Sequence, residues 1–289
     1  MQRRKVLQAG LRILEENSVP SAQLATELLL MHVLGIDRAA LYTNLEIEIP
    51  PELERRYMEL IRERAAGKPV QYITGHQEFW GLDFEVNPDV LIPRPETEML
   101  VETVIGLVGG NPQTRRGDQI QIVDVGTGSG CIALALATEF PRARIFATDL
   151  SRPALAVAAR NANRLALLRS IAFVQCNVLE CFDAGANQGF DFVVSNPPYV
   201  SQDEIAGLQR EVRDFEPRLA LGGFATNDEI YRQLIPQAHA VLKKGGRLIV
   251  EVGFSMAETI AGLLGEGWDS VEIRPDLAGI PRVVISRKQ

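Results

Sequence analysis

The stretch "QIVDVGTGSGCIALALA", residues 121–137, decides how the chain is to be read. It opens with β-branched and apolar residues, the mark of a buried strand. From Cys131 it continues with small and straight-chain apolar residues that favour a helix. Between the two stand Gly126, Thr127, Gly128, Ser129 and Gly130. A strand that turns through glycines straight into a helix opens a βαβ unit, and glycine lets backbone amides approach a ligand closely. The spacing here is G-x-G-x-G. A dinucleotide site requires G-x-G-x-x-G, and a P-loop requires Lys and Ser or Thr after its last glycine. Neither is present, which suits a nucleoside ligand without phosphates. The competing reading of the loop is a turn built for packing alone.

Six further strand candidates follow: "ARIFATDL" (143–150), "IAFVQCN" (171–177), "FDFVVSN" (190–196), "RLIVEVG" (247–253), "SVEIRP" (270–275) and "RVVISR" (282–287). Helical stretches separate most of them. Short apolar strands alternating with helices imply an α/β fold with a mainly parallel sheet covered on both faces. Only "DLAGIP" (276–281) separates the last two strands, too little for a parallel crossover, so the sheet is expected to end antiparallel. Ligands of such sheets bind at the carboxyl ends of the strands.

That rim carries the candidate site. Asp149 ends the second strand, where a carboxylate can accept both ribose hydroxyl hydrogens; its competing role is to cap the helix that starts near Pro153. Asn177 and Val178 follow the third strand and can meet an adenine edge and face, or form a simple turn. The fourth strand stops at "NPPY", Asn196 to Tyr199. Two prolines cannot continue a central strand. An amide-like NH2 is a poor nucleophile because its lone pair is delocalised. Two acceptors gripping its hydrogens, the Asn196 side-chain oxygen and the Pro197 carbonyl, would orient it. The stiff Pro197–Pro198 unit would hold that carbonyl, and Tyr199 offers a flat face for stacking. The bland reading of the same residues is a tight strand exit.

The first 75 residues read as helices only. Ser21 is a candidate N-cap and Gly35 a helix stop. "PPELERRYMELIRERAAG" (50–67) places Leu53, Tyr57, Leu60 and Ile61 on one face, and its arginines, Arg64 among them, are read as part of a solvated face. "EFWGLDFEV" (78–86) then reads as a hairpin turning at Gly81, with Phe79 and Trp80 expected in an interdomain core. "LIPRPETE" (91–98) makes a stiff turn at Arg94 before a helix, and the tract 109–119 reads as a surface loop. The expected division is 1–75 helical, 76–95 hairpin linker and 96–289 catalytic.

Composition narrows the class. With 46% hydrophobic and 23% charged residues, the 289-residue chain is an ordinary globular protein. No apolar run is long enough to span a bilayer. The three cysteines form neither a disulfide framework nor a zinc pattern, so no metal is expected and a reducing cytoplasm suits the chain. A formal net charge of −7 disfavours direct nucleic-acid binding.

The glycine loop, the acid at the next strand end and N-P-P-Y together resemble the class I S-adenosylmethionine-dependent methyltransferases of amino nitrogen. "GKPVQYITGHQEFWGLDFEVNPDVLIPRPETEMLV" (67–101), "FEPRLALGG" (215–223), "YRQLI" (231–235) and "DLAGIPRVVISR" (276–287) resemble the HemK/PrmC family in particular. The resemblance covers almost the whole chain. It implies a Rossmann-like seven-stranded catalytic domain behind a small helical domain that helps hold the substrate. It also implies methyl transfer from S-adenosyl-L-methionine, leaving S-adenosyl-L-homocysteine, to the GGQ glutamine of peptide chain release factors. On that reading Gly126 to Gly130, Asp149, Asn177, Val178 and Asn196 bind the cofactor. Asn196, Pro197, Pro198, Tyr199 and Arg94 hold the target, with Asn196, Pro197 and Tyr199 acting in catalysis, and the protein is a cytoplasmic monomer. Asn177-Val178 departs from the family's usual Asp followed by an aromatic, and "DGL" is missing before Glu229. The alternatives are a ribosomal-protein glutamine or a nucleic-acid exocyclic amine as substrate.

Overall fold

The computed structural model describes residues 1–110, 120–182 and 189–289. Most of the tract expected to be a surface loop, 111–119, lies outside the described residues. The chain forms two compact units, Met1–His76 with Leu208–Phe215, and Gln77–Gly207 with Glu216–Gln289.

The smaller unit is built from α1 (Arg3–Glu16), α2 (Ala22–Leu34), α3 (Arg38–Thr43), α4 (Pro51–Ala65) and α5 (Val70–Thr74), together with the later helix Arg210–Phe215. Val6, Leu14, Leu29, Leu30, Leu41, Tyr57, Leu60 and Ile61 fill its core. Gly35 closes α2 in the left-handed conformation, its N–H on the Met31 carbonyl, as its position at the end of the pattern suggested. Ser21 corrects the expectation of a side-chain cap. It stands at the N-cap position but at φ 52°, and its hydroxyl makes no capping bond. Arg64 is a second correction. Its side chain is buried, pairing with Glu211 and donating to the Lys68 carbonyl at 3.2 Å. The carboxylate comes from 147 residues further along the chain, so no local pattern could reveal it.

The strands run in chain order β1 (His76–Phe79), β2 (Leu82–Glu85), β3 (Gln121–Val125), β4 (Arg144–Asp149), β5 (Ile171–Gln175), β6 (Phe190–Ser195), β7 (Val200–Ser201), β8 (Gly222–Phe224), β9 (Leu242–Glu251), β10 (Trp268–Pro275) and β11 (Pro281–Lys288). Among the described residues seven of them form one sheet, ordered β10-β11-β9-β6-β3-β4-β5. The five strands from β9 to β5 are parallel, and β11 runs antiparallel to both its neighbours, as the short connector required. Alternate residues feed two cores: Ile122 and Val194 pack on one face, Val123 and Val193 on the other. The helices α6 (Glu98–Gly110), α7 (Cys131–Glu139) and α8 (Arg152–Arg164) connect these strands. From β3 the chain builds β4 and β5 on one side, then returns to lay β6 on the other. This reversal opens a crevice at the carboxyl ends of β3 and β6.

The hairpin of β1 and β2 turns through Trp80 and Gly81, at φ 54° and 68°. Two successive positive φ values are what a tight hairpin turn demands. Tryptophan tolerates the position because its backbone N–H reaches Glu98 at 2.7 Å and its indole N–H reaches Glu139 at 2.8 Å. Phe79 is buried in the core of the sheet unit and Trp80 packs against that core, which corrects the interdomain placement expected for them.

Candidate active site

The glycine loop leaves β3 and is held from beneath. Asp124, fully buried, accepts from the Thr127 hydroxyl at 2.6 Å and from the Ala133 N–H at 3.2 Å, tying the loop to the first turn of α7. Burial pushes its carboxyl up to about 7, with the Thr127 bond opposing the rise. The N–H groups of Gly126 and Thr127 both donate to the Thr148 carbonyl at 2.9 Å. The five loop residues therefore divide their work. Gly126 and Gly128 line a cavity of about 310 Å³. At φ 72° and 55°, and with nothing within 4 Å of the place a Cβ would take, they are glycine for conformation and not for space. Gly130 is glycine for both reasons, since it sits at φ 85° and a Cβ there would lie 3.0 Å from Leu134 and 3.1 Å from Ala158. The side chains of Thr127 and Ser129 are buried beneath the loop.

Asp149 ends β4 beside the loop and lines the same cavity. One carboxylate oxygen accepts from Gly128 N–H at 2.9 Å and the other from Ser151 N–H at 2.8 Å. The cap of α8 is Ser151, whose hydroxyl accepts from Ala154 N–H, so Asp149 is not spent on that helix. Burial raises the Asp149 carboxyl above its ordinary range. Next along the rim, Asn177 and Val178 also line the cavity. Asn177 donates to Glu180 at 2.7 Å. Val178 sits at φ 52°, a costly conformation for a β-branched residue, and its carbonyl accepts from the buried Thr148 hydroxyl at 3.2 Å.

Asn196, Pro197 and Pro198 complete this side of the wall; Leu91, Pro217, Leu219 and Phe224 are among the residues that bring apolar surface to the same cavity. The Asn196 amide nitrogen donates to Thr97 at 3.0 Å, and the Thr97 hydroxyl donates to Glu251 at 2.6 Å. Tyr199 and Arg94 stand outside the lining, among the described residues. The Tyr199 ring packs so closely on Gly253 that a Cβ there would lie 2.9 Å from it, and burial pushes its hydroxyl up to about 12. Arg94 pairs at 2.5 Å with Glu216, a partner the sequence reading did not name.

Sequence reasoning missed Asp124, Thr97, Glu251 and the apolar wall near 217–224. Asp124 and Thr97 lie inside stretches already singled out, and Glu251 ends a strand on the ligand-bearing rim. Most of the 217–224 wall also lies in a stretch singled out, "FEPRLALGG" (215–223), but no local pattern in it shows that it reaches the cavity.

Two family profiles match parts of the chain. A family profile described as "PrmC N-terminal domain" matches residues 5–75, and one described as "Methyltransferase small domain" matches 111–223. A protein of Koribacter versatilis named "Release factor glutamine methyltransferase" is 45% identical over 99% of this chain and 98% of its own. The chain belongs to the release factor glutamine methyltransferase family. A second member, from Geobacter sulfurreducens, is 41% identical over 98% of this chain and 96% of its own. Among solved structures, the hMettl16 catalytic domain aligns with a TM-score of 0.57 at 17% identity, over 78% of this chain and 81% of that one. That likeness supports the class I methyltransferase fold of this family member and nothing finer.

Proposed function

We propose that the protein transfers a methyl group from S-adenosyl-L-methionine to the side-chain amide nitrogen of the GGQ glutamine in peptide chain release factors. The observation that carries this reading is the placement of Asn196 and Pro197 in the wall of the cavity that the glycine loop and Asp149 share. The residues present fit the cofactor. Gly126 and Gly128 leave the loop open toward the cavity, and each Asp149 oxygen, having accepted one N–H, keeps lone-pair capacity for ribose hydroxyls. Asn177 and Val178 would border the adenine.

When bound, S-adenosyl-L-methionine supplies an electrophilic methyl group on a sulfonium. The protein's own part is to hold the nucleophile. The Asn196 side-chain oxygen and the Pro197 carbonyl would accept the two hydrogens of the target amide, restrict its rotation and aim the nitrogen lone pair. Such positioning would aid formation of the N–C bond as the C–S bond of the donor breaks; the sulfur would keep the C–S pair and become neutral, and the amide nitrogen would give up one hydrogen as a proton to solvent. Residues 1–75 are assigned to recognition of the release factor, the hairpin 76–95 to the linker and 96–289 to catalysis.

Mass spectrometry of a release factor incubated with the protein and methyl donor tests the reading. One methyl on the GGQ glutamine is expected; methylation elsewhere, or none, would refute it. Removing residues 1–75 should impair methylation of the intact factor far more than that of a short GGQ peptide; equal loss on both would mean that the deletion unfolds the catalytic unit or removes part of its site, and undiminished methylation of the intact factor would deny the recognition role.

A further inference from the structure

We infer that Thr97 and Glu251 form a directional hydrogen-bond relay that fixes which end of the Asn196 amide faces the cavity. The inference rests on the reading of Asn196 as holder of the target NH2, and it deepens that reading.

An asparagine amide has an acceptor end and a donor end of nearly equal shape. Only the acceptor end can grip an NH2, so a site built on Asn196 must exclude the flipped orientation. The relay does this by proton counting. Glu251 as a carboxylate has no hydrogen to donate. Thr97 has a single hydroxyl hydrogen, and its 2.6 Å contact with Glu251 uses it. Toward Asn196 the Thr97 oxygen can then only accept, which matches the 3.0 Å bond from the Asn196 nitrogen. The flipped amide would set its oxygen against the Thr97 lone pairs with no hydrogen between. Thr97 and Glu251 are both buried, so water does not scramble the direction.

The relay is anchored on three elements. Thr97 ends the short turn Pro95–Thr97, Asn196 follows β6, and Glu251 ends β9 with its backbone carbonyl accepting from the Tyr231 hydroxyl at 2.8 Å. Neither Thr97 nor Glu251 lines the cavity, so both are positioning residues. The direction requires an ionised Glu251. Burial pushes that carboxyl up to about 7, while the Thr97 bond and Arg282 and Arg94 favour the charge and Glu96 opposes it. The phenols of Tyr199 and Tyr231 also face it; like any phenol they are neutral near pH 7, and burial raises them further. Comparison of variants therefore belongs at about pH 8.5, where the carboxylate dominates.

The test compares Thr97→Val, Thr97→Ser and Glu251→Leu, which removes the acceptor, in steady-state methylation of a release factor, with donor affinity measured by calorimetry. Thr97→Val and Glu251→Leu should each lower kcat by ~30-fold or more, within the loss that misplacing a reacting group by an ångström can cause. KM and donor affinity should stay within about 3-fold, and Thr97→Ser should restore most of kcat. Wild-type kcat in Thr97→Val or Glu251→Leu, or no rescue by Thr97→Ser, would overturn the relay. A readout without turnover separates this inference from the activity it rests on. The Asn196 side-chain NH2 signals, identified by their loss in Asn196→Ala, should exchange slowly in the wild type and faster in Thr97→Val. If the wild type fails to methylate a release factor, the functional reading falls; unchanged NH2 exchange would sink the relay itself.

Discussion

Glu216 is almost wholly buried and gives each carboxylate oxygen a different partner, Arg94 at 2.5 Å and the backbone N–H of Ile92 at 3.3 Å. One side chain thus fixes the turn that carries the residues just before Thr97. Arg94→Ala takes the guanidinium away from the buried Glu216 carboxylate, and a buried pair that loses one partner costs about 3 kcal/mol. Urea denaturation should show that loss as a lower midpoint. A raised KM for the release factor with unchanged stability would instead assign Arg94 to the substrate.

Asp149→Ala removes the acceptor for two backbone N–H groups and for any ribose hydroxyl. Hydrogen bonds to a charged group are worth about 1.5–3 kcal/mol each. Donor affinity should fall by ~10-fold or more in calorimetry, and unchanged affinity would remove Asp149 from the cofactor site.

Asn196→Ala deletes the gripping acceptor, and Asn196→Asp keeps an acceptor but lacks the N–H that bonds Thr97. Both should lower kcat by ~100-fold or more while donor affinity changes little. Tyr199→Phe should be mild if the ring acts by stacking and Tyr199→Ala severe. A near-normal rate in Asn196→Ala would reduce N-P-P-Y to a strand exit.

Stability should fall as pH rises through the near-neutral range. Burial raises Asp124 and Glu251 to about 7, whereas in the unfolded chain they titrate as ordinary carboxyls. Between those limits the folded state binds more protons than the unfolded state, so unfolding free energy declines with pH and levels off above about 7. Carboxylates with lowered values, such as Asp228 and Asp276, titrate in more acid solution and do not mask the effect. Urea midpoints at about pH 5 and pH 8 should differ in this sense, and the difference should shrink in Asp124→Asn. An equal slope in wild type and variant would contradict the assignment.

Gly10→Ala should destabilise the helical unit although alanine is the better helix former. The propensity gain is only about 1 kcal/mol. The new Cβ would lie 2.2 Å from the Tyr57 hydroxyl oxygen, and Tyr57 is fully buried with little room to yield. Overpacking of this kind costs about 1–3 kcal/mol, so the net change should be a loss. A melting temperature at or above that of the wild type would show that α1 can shift away.

What the sequence determined by itself was local or periodic. Strand and helix periods, the antiparallel end implied by "DLAGIP", the glycine turn after β3 and the acid at the end of β4 all follow from residues a few positions apart. The rim of the cavity was legible for the same reason, because each rim residue directly ends or follows a strand. Tertiary structure alone decided which side chains meet across the chain. It took Arg64 off an expected solvated face by bringing Glu211 to it, and gave Arg94 the partner Glu216 from 122 residues further along the chain. It placed Phe79 in the core of the sheet unit, and it joined Thr97, Asn196 and Glu251 from three separate segments. Sequence spacing encodes periodicity and turn chemistry. The burial of a charge and the direction of a hydrogen bond depend on neighbours that only the folded chain supplies.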